Sequence, residues 1–175
     1  LPWAPVTQFT PGFTGQTWAP RFWEESSKGA FASGVLAPAL GAVRFNAYLA
    51  GLMHKVGATI LFRALSRGLG GAPPPACERF RRVVEASVPL LSCRVAYEWD
   101  LPATVVAALN PNNTELPLRR VVAAGARLAQ VHTLIANERY QSASSRQRWI
   151  EDTELSTQQQ AAWAELNRYA PPNPA

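Results

Sequence analysis

Residues 43–65 read VRFNAYLAGLMHKVGATILFRAL, and their periodicity decides the fold class. Leu49, Met53, Val56 and Ile60 recur at helical spacing, which makes one stripe of a helix apolar and predicts a helix from Val43 to about Leu65. Within it, His54 has Ala50, Gly51, Gly57 and Ala58 three and four residues away. Such small side chains let a second helix approach closely, and a groove of that kind is where a helical bundle builds a site.

The flanking segments read the same way. From Arg21 to about Leu40, small residues recur among Phe22, Phe31 and Leu36, which predicts a helix that Pro38 disturbs. Before it, residues 1–20 carry Pro2, Pro5, Pro11 and Pro20 together with Trp3, Phe9, Phe13 and Trp18. That is an irregular arm with apolar side chains to cover. After the loop SRGLGGAPPP, a short helix is expected over Cys77–Ala86. A second follows, capped by Ser87 with Pro89 in its first turn and running to Trp99. Asp100 is expected to cap the next, which ends at NPNNTELP. A long helix then runs from Leu118 to about Tyr140, and a polar stretch leads to a last amphipathic helix presenting Trp163, Leu166 and Tyr169. No segment has strand period, so the expected fold is all-α, a compact multi-helix bundle. The expected division is an arm (1–20), a helical domain (21–140), and a linker with a C-terminal helix (141–175).

Composition narrows the function. A chain of 175 residues, 47% hydrophobic and 17% charged, has material for one real core. The net charge of +5 lies on arginines scattered singly or in pairs, such as Arg81-Arg82 and Arg119-Arg120. There is no basic stripe interleaved with aromatics, so no nucleic-acid partner is expected. Charged residues interrupt every apolar run before membrane-spanning length, so no membrane role is expected either. Cys77 and Cys93 lack metal-ligand spacing, and a reducing cytoplasm is the simplest compartment. GxSxG, Walker, GxGxxG and HExxH patterns are all missing. On residue content alone, His54 and His132 read as packed histidines rather than ligands.

The strings FWEESSKGA, YLAGLMHKVGATILF and ERFRRVVEASVPLLSCRVAYEWDLPATVVAALNPNN, followed by a long helix around AAGARLA, occur in an order that resembles the HDOD domain. This is the HD-related output domain of bacterial signalling proteins, and the resemblance spans roughly residues 21–140. It implies a helical relative of the HD phosphohydrolases, whose site holds one or two metals on His and Asp side chains. HDOD domains are usually regulatory modules in which that site is partly or wholly lost. It also implies a preceding helical lobe, which this chain does not display, so a cut or shortened member is expected.

Carried across position by position, the family's metal pattern falls on residues of other kinds. The first-helix histidine falls on Glu25, and the His-Asp doublet on His54 and Lys55. A later histidine falls near Val88, the His-His pair on Asn112 and Asn113, and the late aspartate on Ala126. One imidazole with amides cannot hold a divalent ion, and an ammonium at position 55 repels one. No metal, no cofactor and no catalysis are therefore expected. Two arrangements of the charged residues stay open: Glu25 and Lys55 form a buried ion pair with the Asn112 and Asn113 amides as acceptors, or Lys55 reaches water along its stem.

The resemblance implies a non-catalytic regulatory module that binds a protein partner and allows a homodimer. The arm residues Trp3, Phe9, Phe13 and Trp18, with Trp163, Leu166 and Tyr169, are the candidate interaction surface. The alternatives are a metal-dependent HD-type phosphohydrolase and a nucleotide sensor that does not hydrolyse its ligand.

Overall fold

A computed structural model of the chain describes residues 18–70, 75, 77–136 and 157–169, with side chains from Trp23 onward and excluding those of 134–136. Every α-helix or strand among the described residues is a helix: α1 (Trp18–Leu36), α2 (Arg44–Met53), α3 (Val56–Gly68), α4 (Glu78–Glu98), α5 (Ala103–Leu109), α6 (Pro117–Ala136) and α7 (Thr157–Arg168), with a single 3-10 turn at Pro38–Leu40. The all-α bundle predicted from periodicity is the observed fold.

α1 is the pillar. It packs chiefly against α6 and α2, with α7 along its side. The approach is close because the contact is made of small residues. A Cβ on Gly51 would stand 2.8 Å from Ala30 Cα, and one on Gly125 would stand 2.7 Å from the Ser33 nitrogen. Around the pillar the buried apolar residues fall into three clusters. Ala32, Leu36, Val121, Leu128, Ala162 and Leu166 join α1, α6 and α7. Met53, Ala96, Val105, Leu109 and Val122 join α2, α4, α5 and α6. Ala58, Phe62 and Val84 join α3 to α4 alone.

Several boundaries differ from those expected. Helix α1 starts at Trp18, inside the predicted arm, and residues 1–17 lie outside the described set. The helix predicted over 43–65 is two helices, broken at His54 and Lys55. The break shifts the phase of the second half, so Ile60 is 41% exposed and Gly57, Ala58 and Phe62 are buried in its place. The two helices expected over 77–99 are one. Ser87 and Pro89 both sit inside α4, and Ser87 is not a cap. Pro89 costs the helix one N–H donor, but burial of Val84, Ser92 and Ala96 on either side holds it through.

Asp100 is not an N-cap. It has φ 53, in the left-handed region. It terminates α4 by donating its N–H to the Tyr97 carbonyl at 3.1 Å, while Leu101 N–H reaches the Ala96 carbonyl at 3.0 Å. That pair of bonds is a Schellman stop, completed by the apolar neighbours Ala96 and Leu101. The cap of α5 is Pro102. The stretch 137–156, which holds the end of the predicted long helix and most of the polar linker, lies outside the described residues.

Candidate functional site

The site grows from the polar run EESSK in α1. Four of its five residues, Glu25, Ser26, Ser27 and Lys28, are buried in the packed helix, and Glu24 is partly exposed. Ser27 settles its hydroxyl by donating to the Trp23 carbonyl at 2.8 Å. Glu25 faces Lys55, thirty residues away, and the Lys55 ammonium donates directly to Glu25 Oε2. Their side chains are 8% and 15% exposed respectively, so the pair is a largely buried one. Of the two arrangements the sequence leaves open, the structure has the ion pair.

His54 closes α2 one residue earlier. Its Nδ1 faces the Gly51 carbonyl, whereas Nε2 is buried with no hydrogen-bond partner among the described residues. Burial, reinforced by the neighbouring Lys55 ammonium, lowers its pKa from 6.5 to about 4. The imidazole is therefore neutral near pH 7, and the Nδ1 contact assigns the proton to that nitrogen. Opposite it, Gly29 leaves room for the ring: a Cβ there would stand 3.2 Å from His54 Cε1 and 3.9 Å from the Ala126 Cα. Four positions of the expected pattern thus converge on one spot, Glu25 with Lys55 and His54 with Ala126.

The other three do not join them as expected. Val88 packs against the α3–α4 cluster. Asn112 is exposed, and its backbone N–H donates to Asn110 Oδ1 at 3.0 Å. The Asn113 carboxamide donates to the Ala107 carbonyl at 3.0 Å. Both residues belong to the turn that closes α5, Asn113 through its carboxamide and Asn112 through its backbone N–H, and neither is bonded to Lys55 among the described residues.

The donors at this spot do not fit a divalent metal. Among the described residues the Glu25 carboxylate there is held by an ammonium, and no cluster of three or more His, Cys, Asp or Glu residues joins His54.

Two features escape a reading of the sequence. Ser92, on α4, accepts from the Gly57 N–H at 2.9 Å and donates to the His54 carbonyl at 3.0 Å. It thereby fixes the turn that presents His54 and Lys55. Lys28 is the second buried cation. Its ammonium meets Glu24 at 2.5 Å and Thr133 Oγ1 at 3.4 Å. Burial and the nearby Lys28 lower the pKa of His132, whose ring lies tilted against Trp163 with centroids 5.3 Å apart. A lysine amid small residues on the innermost helix was the available signal for the second; nothing local marks Ser92.

The C-terminal helix spends its apolar face inside the molecule. Leu166 is fully buried, Trp163 packs against the same cluster, and Tyr169 stacks on Phe31 at 4.7 Å. The surface these three were expected to offer a partner is taken up by α1 and α6. Trp3, Phe9 and Phe13 lie outside the described residues.

The central helix, the mid-chain His54-Lys55 turn and the late long helix thus meet at one polar spot. The family model of the HDOD domain matches residues 6–114, and the chain belongs to that family of signalling-associated, HD-related domains. The match begins earlier and ends earlier than the resemblance read from the motifs. No curated protein and no solved structure matches the chain. No described helix is long and apolar enough to cross a membrane.

Proposed function

We propose that this chain is a non-catalytic, cytoplasmic regulatory module of signal transduction that acts by binding a protein partner. The observation that carries the reading is the Glu25–Lys55 pair. An ammonium sits where the resemblance puts the family's bridging carboxylate, and it neutralises the Glu25 carboxylate beside it. Without a metal there is no activated water, and the neutral His54, with one nitrogen facing a carbonyl and the other walled in, is neither a nucleophile nor a base with access to substrate. What remains is a domain whose surface, rather than its centre, does the work.

Metal content and turnover test this. The purified chain should carry iron, manganese and zinc well below stoichiometry and should leave phosphomonoesters and cyclic dinucleotides intact when these metals are added. Stoichiometric metal with hydrolysis that His54→Ala abolishes would establish the phosphohydrolase alternative. Saturable calorimetric binding of a cyclic dinucleotide without turnover would establish the sensor instead.

A further inference from the structure

Helix α4 packs on α3 and α5 with one side and leaves a line of apolar side chains uncovered on the other. Phe80, Val84, Val88, Ser92 and Ala96 make the inner side. Opposite them Val83, Leu90 and Tyr97 recur at intervals of seven and are 51%, 56% and 66% exposed. Residues seven apart in a helix are turned from one another by only about 20°, so the three form one stripe about 21 Å long. Ala86 and Arg94 lie between them on the same stripe, both exposed.

The stripe has a centre. Val83 and Tyr97 stand seven residues either side of Leu90, and Ala86 and Arg94 four either side. Antiparallel pairing of two copies about a two-fold axis at Leu90 therefore sets Leu90 on Leu90, Val83 on Tyr97 of the second copy, and small Ala86 under its Arg94. A seat for that tyrosine is already formed: Val83, Ala86, Glu78, Arg79 and Arg82 line an open groove of about 560 Å³ on α4. Guanidinium groups at its rim suit an aromatic ring. The charges run the right way as well. At the first end of α4, Glu78 is held by Arg81 and Arg82, while Arg79 is exposed and stands in no ion pair among the described residues. The other end carries Glu98, paired with Arg94, and the exposed Asp100. Antiparallel pairing brings the Arg79 end of one copy to the Glu98 and Asp100 end of the other, whereas parallel pairing would set arginine beside arginine. We propose that the chain forms a two-fold dimer through α4, with each Tyr97 seated in the groove beside Val83 of the other copy. Three apolar side chains and their charged borders bury about 1,000 Å² in total, at the low end for a specific interface, so dissociation in the micromolar range is expected.

Sedimentation velocity on the full chain, from about 1 to about 300 µM, tests it. The weight-average sedimentation coefficient should climb with concentration from the value of a monomer to that of a dimer. Leu90→Glu, which sets two carboxylates together at the axis, and Tyr97→Ala should each weaken association about tenfold or more. Both positions are exposed, so circular dichroism melts of the variants should match the parent. Ala123→Glu, on the exposed side of α6, should leave association unchanged. Arg79→Glu and Glu98→Arg should each weaken it about fivefold, and the double variant Arg79→Glu/Glu98→Arg, which exchanges the two ends, should restore it. A monomer over the whole range would overturn the proposal. So would a dimer that survives both Leu90→Glu and Tyr97→Ala, since its interface would lie elsewhere. Failure of the double charge exchange to restore association would overturn the antiparallel register. Metal content and turnover have no bearing on these outcomes, so the non-catalytic reading stands or falls separately.

Discussion

Ser92 and Gly57 meet with no room between them: the Gly57 N–H donates to Ser92 Oγ at 2.9 Å, and a Cβ on Gly57 would stand 2.8 Å from the Ser92 backbone nitrogen. Because the same hydroxyl donates to the His54 carbonyl, one side chain holds both ends of the turn that carries Lys55. Ser92→Ala leaves a buried N–H and a carbonyl unpaired. It should cost about 1–3 kcal/mol in urea denaturation, more than a buried methyl-for-hydroxyl exchange alone would explain. A loss below about 0.5 kcal/mol would mean that water replaces the hydroxyl.

Breaking the buried pair should be worse than removing it. Glu25→Gln or Lys55→Met alone leaves one partner buried beside a lost charge, and each should cost about 3 kcal/mol. The double variant should be more stable than the worse single, giving a coupling energy of about 1 kcal/mol or more. Strict additivity would show that the two side chains do not act as a pair. Lys55→Asp sets two carboxylates against each other and still leaves Val88, Asn112, Asn113 and Ala126 where ligands are needed. It should lose stability without gaining bound metal, as elemental analysis of the purified variant would show.

Acid should destabilise the fold through His54. Its pKa is about 4 when folded against 6.5 for the free imidazole, so the unfolded chain takes up the proton first. The stabilisation is whole above pH 6.5 and is lost as pH falls from there towards about 4. Between about pH 7 and about pH 5 this amounts to roughly 2 kcal/mol. His54→Asn, which keeps a side-chain donor near the Gly51 carbonyl, should flatten the dependence across that window in urea melts. An unchanged slope would assign the acid sensitivity to other groups.

Gly125→Ala should destabilise even though alanine is the better helix former by about 1 kcal/mol. The new methyl would meet both the hydroxyl and the backbone nitrogen of Ser33. Overpacking of that kind costs about 1–3 kcal/mol. Trimming the hydroxyl in Ser33→Ala/Gly125→Ala should not restore stability, because the backbone nitrogen at 2.7 Å remains. Full rescue in thermal melts would show that only the hydroxyl was in the way.

The fold class was legible because period is a local property. The apolar spacing of residues 43–65 and 118–135 needs no partner to be seen, and the Glu25, His54, Lys55 and Ala126 positions could be brought together by the order of motifs. What was hidden lies in contacts between elements. Nothing near His54 announces a helix break, because the break is made by Ser92 far along the chain. Pro89 reads as a start but lies within a helix whose packing outweighs one missing bond. Asp100, a good cap by composition, is used in the left-handed conformation that ends α4, because Leu101 can then pack back on Ala96.

The glycine and serine seam between α1 and α6 also bears on how the chain is made. Gly29 and Ser33 on one side and Gly125 on the other are separated by about ninety residues of sequence, and their contact has no side chain large enough to hold a partial structure together. During synthesis the buried Lys28 cannot reach its final surroundings until α6, which supplies Thr133, has left the ribosome. One side of α1 can close early on α2, but the side that carries Lys28 stays open to water until α6 arrives, so the pillar of the finished bundle is enclosed in two stages.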